Sequence, residues 1–189
     1  ENAPELVIAD LATAKSKPPL RINLKDATLL AVNPDGSQAV TYKKGQGRES
    51  GEISFWDLKE EAIQTAAWKA ASFFDRDGLA PNMGTFVENN RLLTVGRRVI
   101  LWDCESATAV YSYPVSENNK PALSANGKQL AVISGKSVFI INVSDGEILG
   151  KIEPPTTTKS LAFSPNGESL AGINSVSGEI WIWDLTNNQ

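Results

Sequence analysis

The side chains with the most to offer chemically gather in two stretches that interrupt an otherwise regular chain. Lys43-Lys44-Gly45-Gln46-Gly47-Arg48-Glu49-Ser50-Gly51-Glu52 carries Lys44 and Arg48, and residues 69–82 carry Phe73, Phe74, Asp75, Arg76 and Asp77. Cations beside aromatic rings are recognition chemistry, since Arg and aromatic side chains are the usual anchors of protein interfaces. Lys44, Arg48, Phe73, Phe74 and Arg76 are therefore the candidate partner-binding set. The competing reading is that surface loops accept insertions freely and that Phe73 and Phe74 tuck beneath their own loop.

Catalysis has little to draw on. The 189 residues include no histidine and a single cysteine, Cys104, which removes Ser-His-Asp and Cys-His nucleophile systems, His-Cys zinc sites and any internal disulfide. No catalytic residue, cofactor or metal ligand is assigned. Asp75-Arg76-Asp77-Gly78 matches only the opening of a calcium loop, without the later ligands or the closing bidentate Glu, and reads as a turn. Asn142-Val143-Ser144 fits the N-glycosylation pattern but ends a predicted inner strand, where a glycan has no room. Cys104 stands where other copies of its segment carry Leu, so a small buried hydrophobe is expected rather than a reactive thiol.

Eighteen basic and twenty-two acidic residues give a net charge of −4 with no long basic run, so nucleic acid is not the expected partner. No apolar stretch approaches the roughly 18 residues that span a bilayer, and the first residues lack the order of a signal peptide. With the lone cysteine, these features set the expectation of a cytoplasmic protein without a membrane partner. Hydrophobic residues at 41% and charged residues at 21% exclude disordered, collagen-like and coiled-coil chains. At about 150 residues per domain, the length points to one domain.

The elements that must position the loops are repeats. Leu6-Val7-Ile8-Ala9-Asp10-Leu11 recurs as Ile53-Ser54-Phe55-Trp56-Asp57-Leu58, Val99-Ile100-Leu101-Trp102-Asp103-Cys104, Val138-Phe139-Ile140-Ile141-Asn142-Val143 and Ile180-Trp181-Ile182-Trp183-Asp184-Leu185. The acidic or amide residue falls at 10, 57, 103, 142 and 184, giving steps of 47, 46, 39 and 42. A β-propeller blade needs about 40 to 45 residues. Repeat units of about 12–58, 59–104, 105–143 and 144–185 follow, spanning residues 1–189 as a single domain or partial ring.

Turn chemistry recurs in the same register. Asn33-Pro34-Asp35-Gly36, Ser124-Ala125-Asn126-Gly127 and Ser164-Pro165-Asn166-Gly167 have the residue order of a type I turn closing a hairpin, and Glu88-Asn89-Asn90-Arg91 puts Asn90 in the glycine's place. Asn is among the non-glycine residues that best accept positive φ. Apolar runs flanking each turn are strands a and b, the Trp-Asp phrase is strand c, and Leu20 to Leu24, Ile63 to Ala67, Val110 to Tyr113 and Ile148 to Ile152 supply strand d. Strand c is apolar at both parities, which suits a sheet covered on both faces. Glu60 to Ser72 also reads as an amphipathic helix, but the repeat register favours strand d.

Lys159-Ser160-Leu161-Ala162-Phe163-Ser164-Pro165-Asn166-Gly167-Glu168-Ser169-Leu170-Ala171, continuing to Ile180-Trp181-Ile182-Trp183-Asp184-Leu185, resembles the WD-repeat β-propeller family, and the resemblance extends over essentially the whole chain. It implies an all-β propeller of four-stranded antiparallel blades, with about four repeats present. That family often places a Gly-His pair before strand a, joining a polar network with the strand c Trp and a buried Asp; this chain has no histidine. Complete blades are expected at about 28–67, 83–113 and 121–152. The c and d strands of one blade precede them, and a, b and c of another follow. Three arrangements then remain: a small closed ring, part of a longer propeller, or two chains pooling blades. Part of a larger ring, given as a fragment or completed by another copy, is the favoured one.

The resemblance implies a non-catalytic protein-protein interaction scaffold, with both insertions on one face. A propeller enzyme of quinoprotein or lactonase type is the alternative. It would need converging carboxylates or metal ligands in a central channel, and the strand a segments Thr28 to Val32, Met83 to Val87, Pro121 to Ser124 and Ser160 to Phe163 contain no Asp, Glu, Lys or Arg. A structural or regulatory appendage of a larger multidomain protein is the third reading. The strand c tryptophans Trp56, Trp102 and Trp183 are expected to fill gaps between blades, with the following Asp accepting backbone bonds at the strand end.

Overall fold

The computed structural model describes residues 5–8, 20–24, 26–45, 51–59, 63–69, 81, 83–88, 90–115 and 120–186. The chain divides into two compact units, Glu1–Phe86 and Val87–Gln189. In the first, β1 (Glu5–Ile8) pairs with β2 (Leu20–Asn23), and β3 (Ala27–Val32), β4 (Gln38–Lys43), β5 (Glu52–Asp57) and β6 (Ile63–Lys69) form a four-stranded sheet in chain order. The unit boundary falls inside β7 (Met83–Val87), which joins β8 (Arg91–Val95), β9 (Arg98–Asp103) and β10 (Thr108–Pro114) in the next sheet. A third four-stranded sheet holds β11 (Ala122–Leu123), β12 (Gln129–Ser134), β13 (Ser137–Asn142) and β14 (Ile148–Ile152); β15 (Thr158–Phe163), β16 (Ser169–Asn174) and β17 (Ile180–Asp184) form a three-stranded one.

Each sheet is an antiparallel meander in chain order, as in a propeller blade. The fold is all-β, with four-stranded sheets running from Ala27 to Lys69, Met83 to Pro114 and Ala122 to Ile152. Among the described residues there is no helix, hence none long and apolar enough to cross a membrane. Ile63–Lys69 is a strand because the register pairs it along β5, from Asp57 opposite Ile63 to Glu52 opposite Lys69. A strand supplies partners for the outer backbone groups of β5, and that non-local gain outweighs the helical spacing of its alanines.

The a–b hairpins close as their residues require. The Gly36, Gly127 and Gly167 amides donate to the carbonyls of Asn33, Ser124 and Ser164 at 3.0, 2.8 and 2.9 Å, and the three glycines have φ of +71°, +71° and +75°. Asn90 takes the same left-handed conformation at +55°. The residue opening each turn also accepts from the strand beyond it. Asn33 Oδ1 takes the Gln38 amide at 2.7 Å, and the Ser124 and Ser164 hydroxyls take those of Gln129 and Ser169 at 2.9 Å.

Burial follows the double-sided apolar pattern. Leu92, Leu93 and Val95 of β8 and Val99, Ile100 and Leu101 of β9 are fully buried. Ala131, Ile133, Val138, Ile140 and Ile152 form one cluster with Leu161 and Leu170 of the following sheet, against which Phe163, Trp183 and Leu185 pack. In the first unit Ile22 of β2 packs with Ala39, Leu58, Leu29 and Trp56. Strand β17 differs: its residues alternate between exposed and half-buried. Each c–d pair of the four-stranded sheets also carries a one-residue register shift, at Phe55/Trp56, Ala109/Tyr111 and Ile140/Ile141. Such a bulge increases local twist.

Candidate functional site

Strand register brings the bases of the two insertions together. β4 ends at Lys43, which stands opposite Glu52 at the start of β5, and Glu52 stands opposite Lys69 at the end of β6. Both long connections therefore leave one end of one sheet. Lys44 is exposed there, whereas Arg48, Phe73, Phe74 and Arg76 lie outside the described residues, as does Asp75-Arg76-Asp77-Gly78. The first insertion re-enters the sheet at a tight point: Gly51 is buried, and a Cβ on it would collide with the buried Tyr42 ring. Burial pushes the Tyr42 phenol above its ordinary range. A loop on such a base is presented by a rigid support.

The Trp-Asp positions are occupied with architecture. The indole N–H of Trp56 donates to the Thr41 hydroxyl, and that of Trp102 to the Thr94 hydroxyl, each at 2.9 Å. An indole in an apolar gap needs such an acceptor, and here strand b supplies it. The carboxylate that follows caps the next turn. Asp57 accepts the Lys59 amide at 2.9 Å, Asp103 the Ser106 amide at 2.8 Å, and Asp184 the Thr186 amide at 2.8 Å. Bonds from the Ser106 amide and hydroxyl hold the exposed Asp103 carboxyl below its ordinary range.

Asn142 keeps the same role without a charge, accepting from the Ser144 amide at 3.0 Å while its own amide group donates to Asp145 at 3.1 Å. The glycosylation-type nitrogen is thus bound within its turn. Cys104 follows Asp103 at the start of the β9–β10 turn and is half-buried, less enclosed than a core position because its strand has just ended. Burial, with the Asp103 charge second, pushes its thiol up to about 12. A thiol in that state is a poor nucleophile at neutral pH.

Contacts that sequence reasoning missed tie neighbouring blades of the second unit together. Arg91 Nη1 donates to the Ser144 carbonyl at 3.0 Å, and the Tyr111 hydroxyl donates to the Val143 carbonyl at 3.0 Å. Burial raises the Tyr111 phenol, so it stays a donor. Gly146, at φ +81°, leaves room for the rings of Tyr111 and Tyr113, which a Cβ would meet at 2.8 to 3.0 Å. Beside this clamp opens a cleft of about 350 Å³, walled by Val87, Leu101 and Leu149 with Glu88, Arg91 and Lys128. No local pattern marks residues that meet across 32 or 53 positions of sequence. Among the described residues, no group of three His, Cys, Asp or Glu side chains lies close enough to hold a metal ion.

Over 94 residues the chain is 31% identical to an uncharacterized WD repeat-containing protein of Synechocystis sp., a match covering 48% of this chain and 27% of that protein. The repeats are WD-like. No protein-family model matches the chain. The chain spans about a quarter of the length of this curated relative. In these WD-like repeats, which lack histidine, the strand c indole of two blades is served by a strand b threonine.

Proposed function

We propose that the protein is a non-catalytic protein-protein interaction scaffold of WD-repeat type, and that Lys44, Arg48, Phe73, Phe74 and Arg76 form its partner-binding rim. The observation that carries this reading is that the connections over residues 44–51 and 70–82 leave the same end of one sheet, where strand register aligns Lys43, Glu52 and Lys69. The bases of the two insertions are neighbours, and Arg with aromatic side chains is the composition of interface anchors. The likeness to a WD repeat-containing protein supports a binding role. The polar side chains at the repeat positions support it too, because hydrogen bonds within turns and between strands already engage them. The partner is a protein, in keeping with a net charge of −4 that disfavours nucleic acid.

Affinity capture with the wild-type chain, followed by titration of the captured protein against the Phe74→Ala/Arg76→Ala variant, tests the rim. The expected result is an unchanged melting temperature with binding weakened at least about tenfold, the scale of one lost anchor. Unfolding of the variant would show that the loop is core, and undiminished binding would move the interface elsewhere.

A further inference from the structure

One seam between four-stranded blades is left incompletely filled. Where β11–β14 meets β15–β17, Phe163, Trp183 and Leu185 pack against the buried cluster. Where β7–β10 meets β11–β14, a largely apolar cleft of about 220 Å³ remains. Strand β10 supplies Tyr113 and Pro114 to one wall, and Val115 follows them. On the other wall Val132 stands opposite Phe139, and Ile141 opposite Ile148. Val132 and Ile141 are buried, at 1% and 3%, whereas Ile148 at the mouth is 50% exposed. All of these residues lie in the second unit. The connection after Val115 reads Ser116-Glu117-Asn118-Asn119 and offers no apolar side chain to fill the cleft.

Cations stand around the cleft. The β8–β9 turn brings Arg97 and Arg98 beside the β10 wall: the Val115 amide donates to the Arg97 carbonyl at 2.8 Å, and Arg98 stands opposite Pro114. Arg98 Nε donates to the Ser112 hydroxyl at 2.7 Å, which fixes the guanidinium while leaving it N–H groups to donate. On the other wall Lys136 is exposed in the turn that joins Ser134 to Ser137. Lys151 Nζ lies 6.0 Å from the centre of the Phe139 ring and 2.6 Å from Glu153. The opposite ends of the same sheets, joined by the Tyr111–Val143 bond, carry Asp103, Glu105, Asp145 and Glu147. An anionic ligand is therefore drawn to one end of the seam and repelled from the other.

We propose that this cleft binds an acidic segment of a partner protein through one large apolar side chain. That side chain enters between Tyr113 and Phe139, and the Asp or Glu residues flanking it face Arg97, Arg98 and Lys136. The volume is below the roughly 300–1,000 Å³ of small-molecule sites and suits a single side chain. Nucleic acid needs a denser row of cations, and the acidic far end, with a net charge of −4, opposes a long polyanion. The site uses none of the rim residues, so either reading can fail without the other.

The test is fluorescence anisotropy of a labelled peptide with one phenylalanine between two runs of aspartate, titrated with the full chain. The expected result is saturable binding, with a Kd below about 1 mM that rises with salt. A peptide with serine in place of the phenylalanine binds at least about tenfold more weakly. Ile148→Thr and Lys136→Glu each weaken binding at least about threefold, while Phe74→Ala/Arg76→Ala leaves it unchanged. Ile148→Thr keeps strand propensity. If circular dichroism shows that it has not folded, Lys136→Glu, in an exposed turn, and the serine peptide carry the test. Absence of saturation overturns the proposal, as does equal affinity for the serine peptide or indifference to Lys136→Glu. Weakening by Phe74→Ala/Arg76→Ala would move the peptide to the rim. Tighter binding of polyuridylate RNA or of phosphatidylserine vesicles than of the peptide would assign the cations to another partner and overturn it too.

Discussion

Thr94→Val changes one polar atom at nearly constant volume in a site that water does not reach. Thr94 is fully buried and Trp102 nearly so, and the indole N–H donates to the threonine hydroxyl at 2.9 Å. The substitution sets a methyl group against that donor. Depriving a buried donor of its acceptor costs about 1–3 kcal/mol, and the added apolar burial returns less than about 1 kcal/mol. The expected net loss is about 1–2 kcal/mol. Thr41→Val removes the same 2.9 Å bond in the first unit, but Trp56 is only half-buried. Water can reach the freed indole there, so the loss falls to about 0.5–1 kcal/mol, the net worth of an ordinary hydrogen bond. Urea unfolding followed by tryptophan fluorescence reads both, with the m-value checking that the denatured state is unchanged. A double-mutant cycle with Trp102→Phe isolates the pair: the double variant should cost less than the sum of the singles by about 1 kcal/mol. The reasoning is refuted if Thr94→Val costs under about 0.5 kcal/mol, or if Thr41→Val costs as much as Thr94→Val.

The same unfolding assay tests the left-handed turn. Asn90 has φ +55°, so Asn90→Ala should lose about 1 kcal/mol while Asn90→Gly is neutral or slightly stabilising, and equal stability of the two variants would remove the conformational argument. Cys104 keeps its proton in the folded chain to about pH 12, whereas the unfolded chain ionises near 9.0. The unfolded state is therefore favoured progressively as pH rises through that window, and Cys104→Ala should flatten this alkaline loss. A thiol reagent at pH 8 should react slowly with the native protein and rapidly in denaturant; equal rates would show a thiol that burial does not protect.

What was legible in the sequence was what a few neighbouring residues decide. A glycine three positions after Asn33, Ser124 or Ser164 must take positive φ, and each does; Asn90 follows for the same steric reason. Asp57, Asp103, Asn142 and Asp184 accept from amides two or three residues ahead, a bond their side-chain length allows wherever a strand gives way to a turn. The exposure of Ile182 could not be read in this way. In the one-dimensional pattern it is indistinguishable from Ile140, which Leu161 and Leu170 of the following sheet cover to 4% exposure. The clamp of Arg91 and Tyr111 on the Val143–Ser144 turn is hidden for the same reason, since its partners are set by sheet packing.

Strand register shows, further, that the repeat is written in pairs. The strand b position two residues beyond the partner of the Trp-type residue holds Thr41, Thr94, Val132 and Gly172, and the corresponding strand c residues are Trp56, Trp102, Ile141 and Trp183. Two of the three indoles meet a hydroxyl. The aliphatic Ile141, which donates nothing, goes with a valine. Trp183 occupies the space above Gly172, where a Cβ would meet its ring carbons at 2.7 Å and the Thr158 methyl at 3.1 Å. The Thr41/Trp56, Thr94/Trp102 and Val132/Ile141 pairs keep their polar atoms matched, so a blade tolerates loss of its strand c tryptophan when strand b changes with it. This explains how Ile141-Asn142 forms a blade as regular as Trp102-Asp103. It also explains why the Trp-Asp phrase understates the repeat: what is preserved is a pairing shared across two strands, and residue identity at either strand alone records half of it.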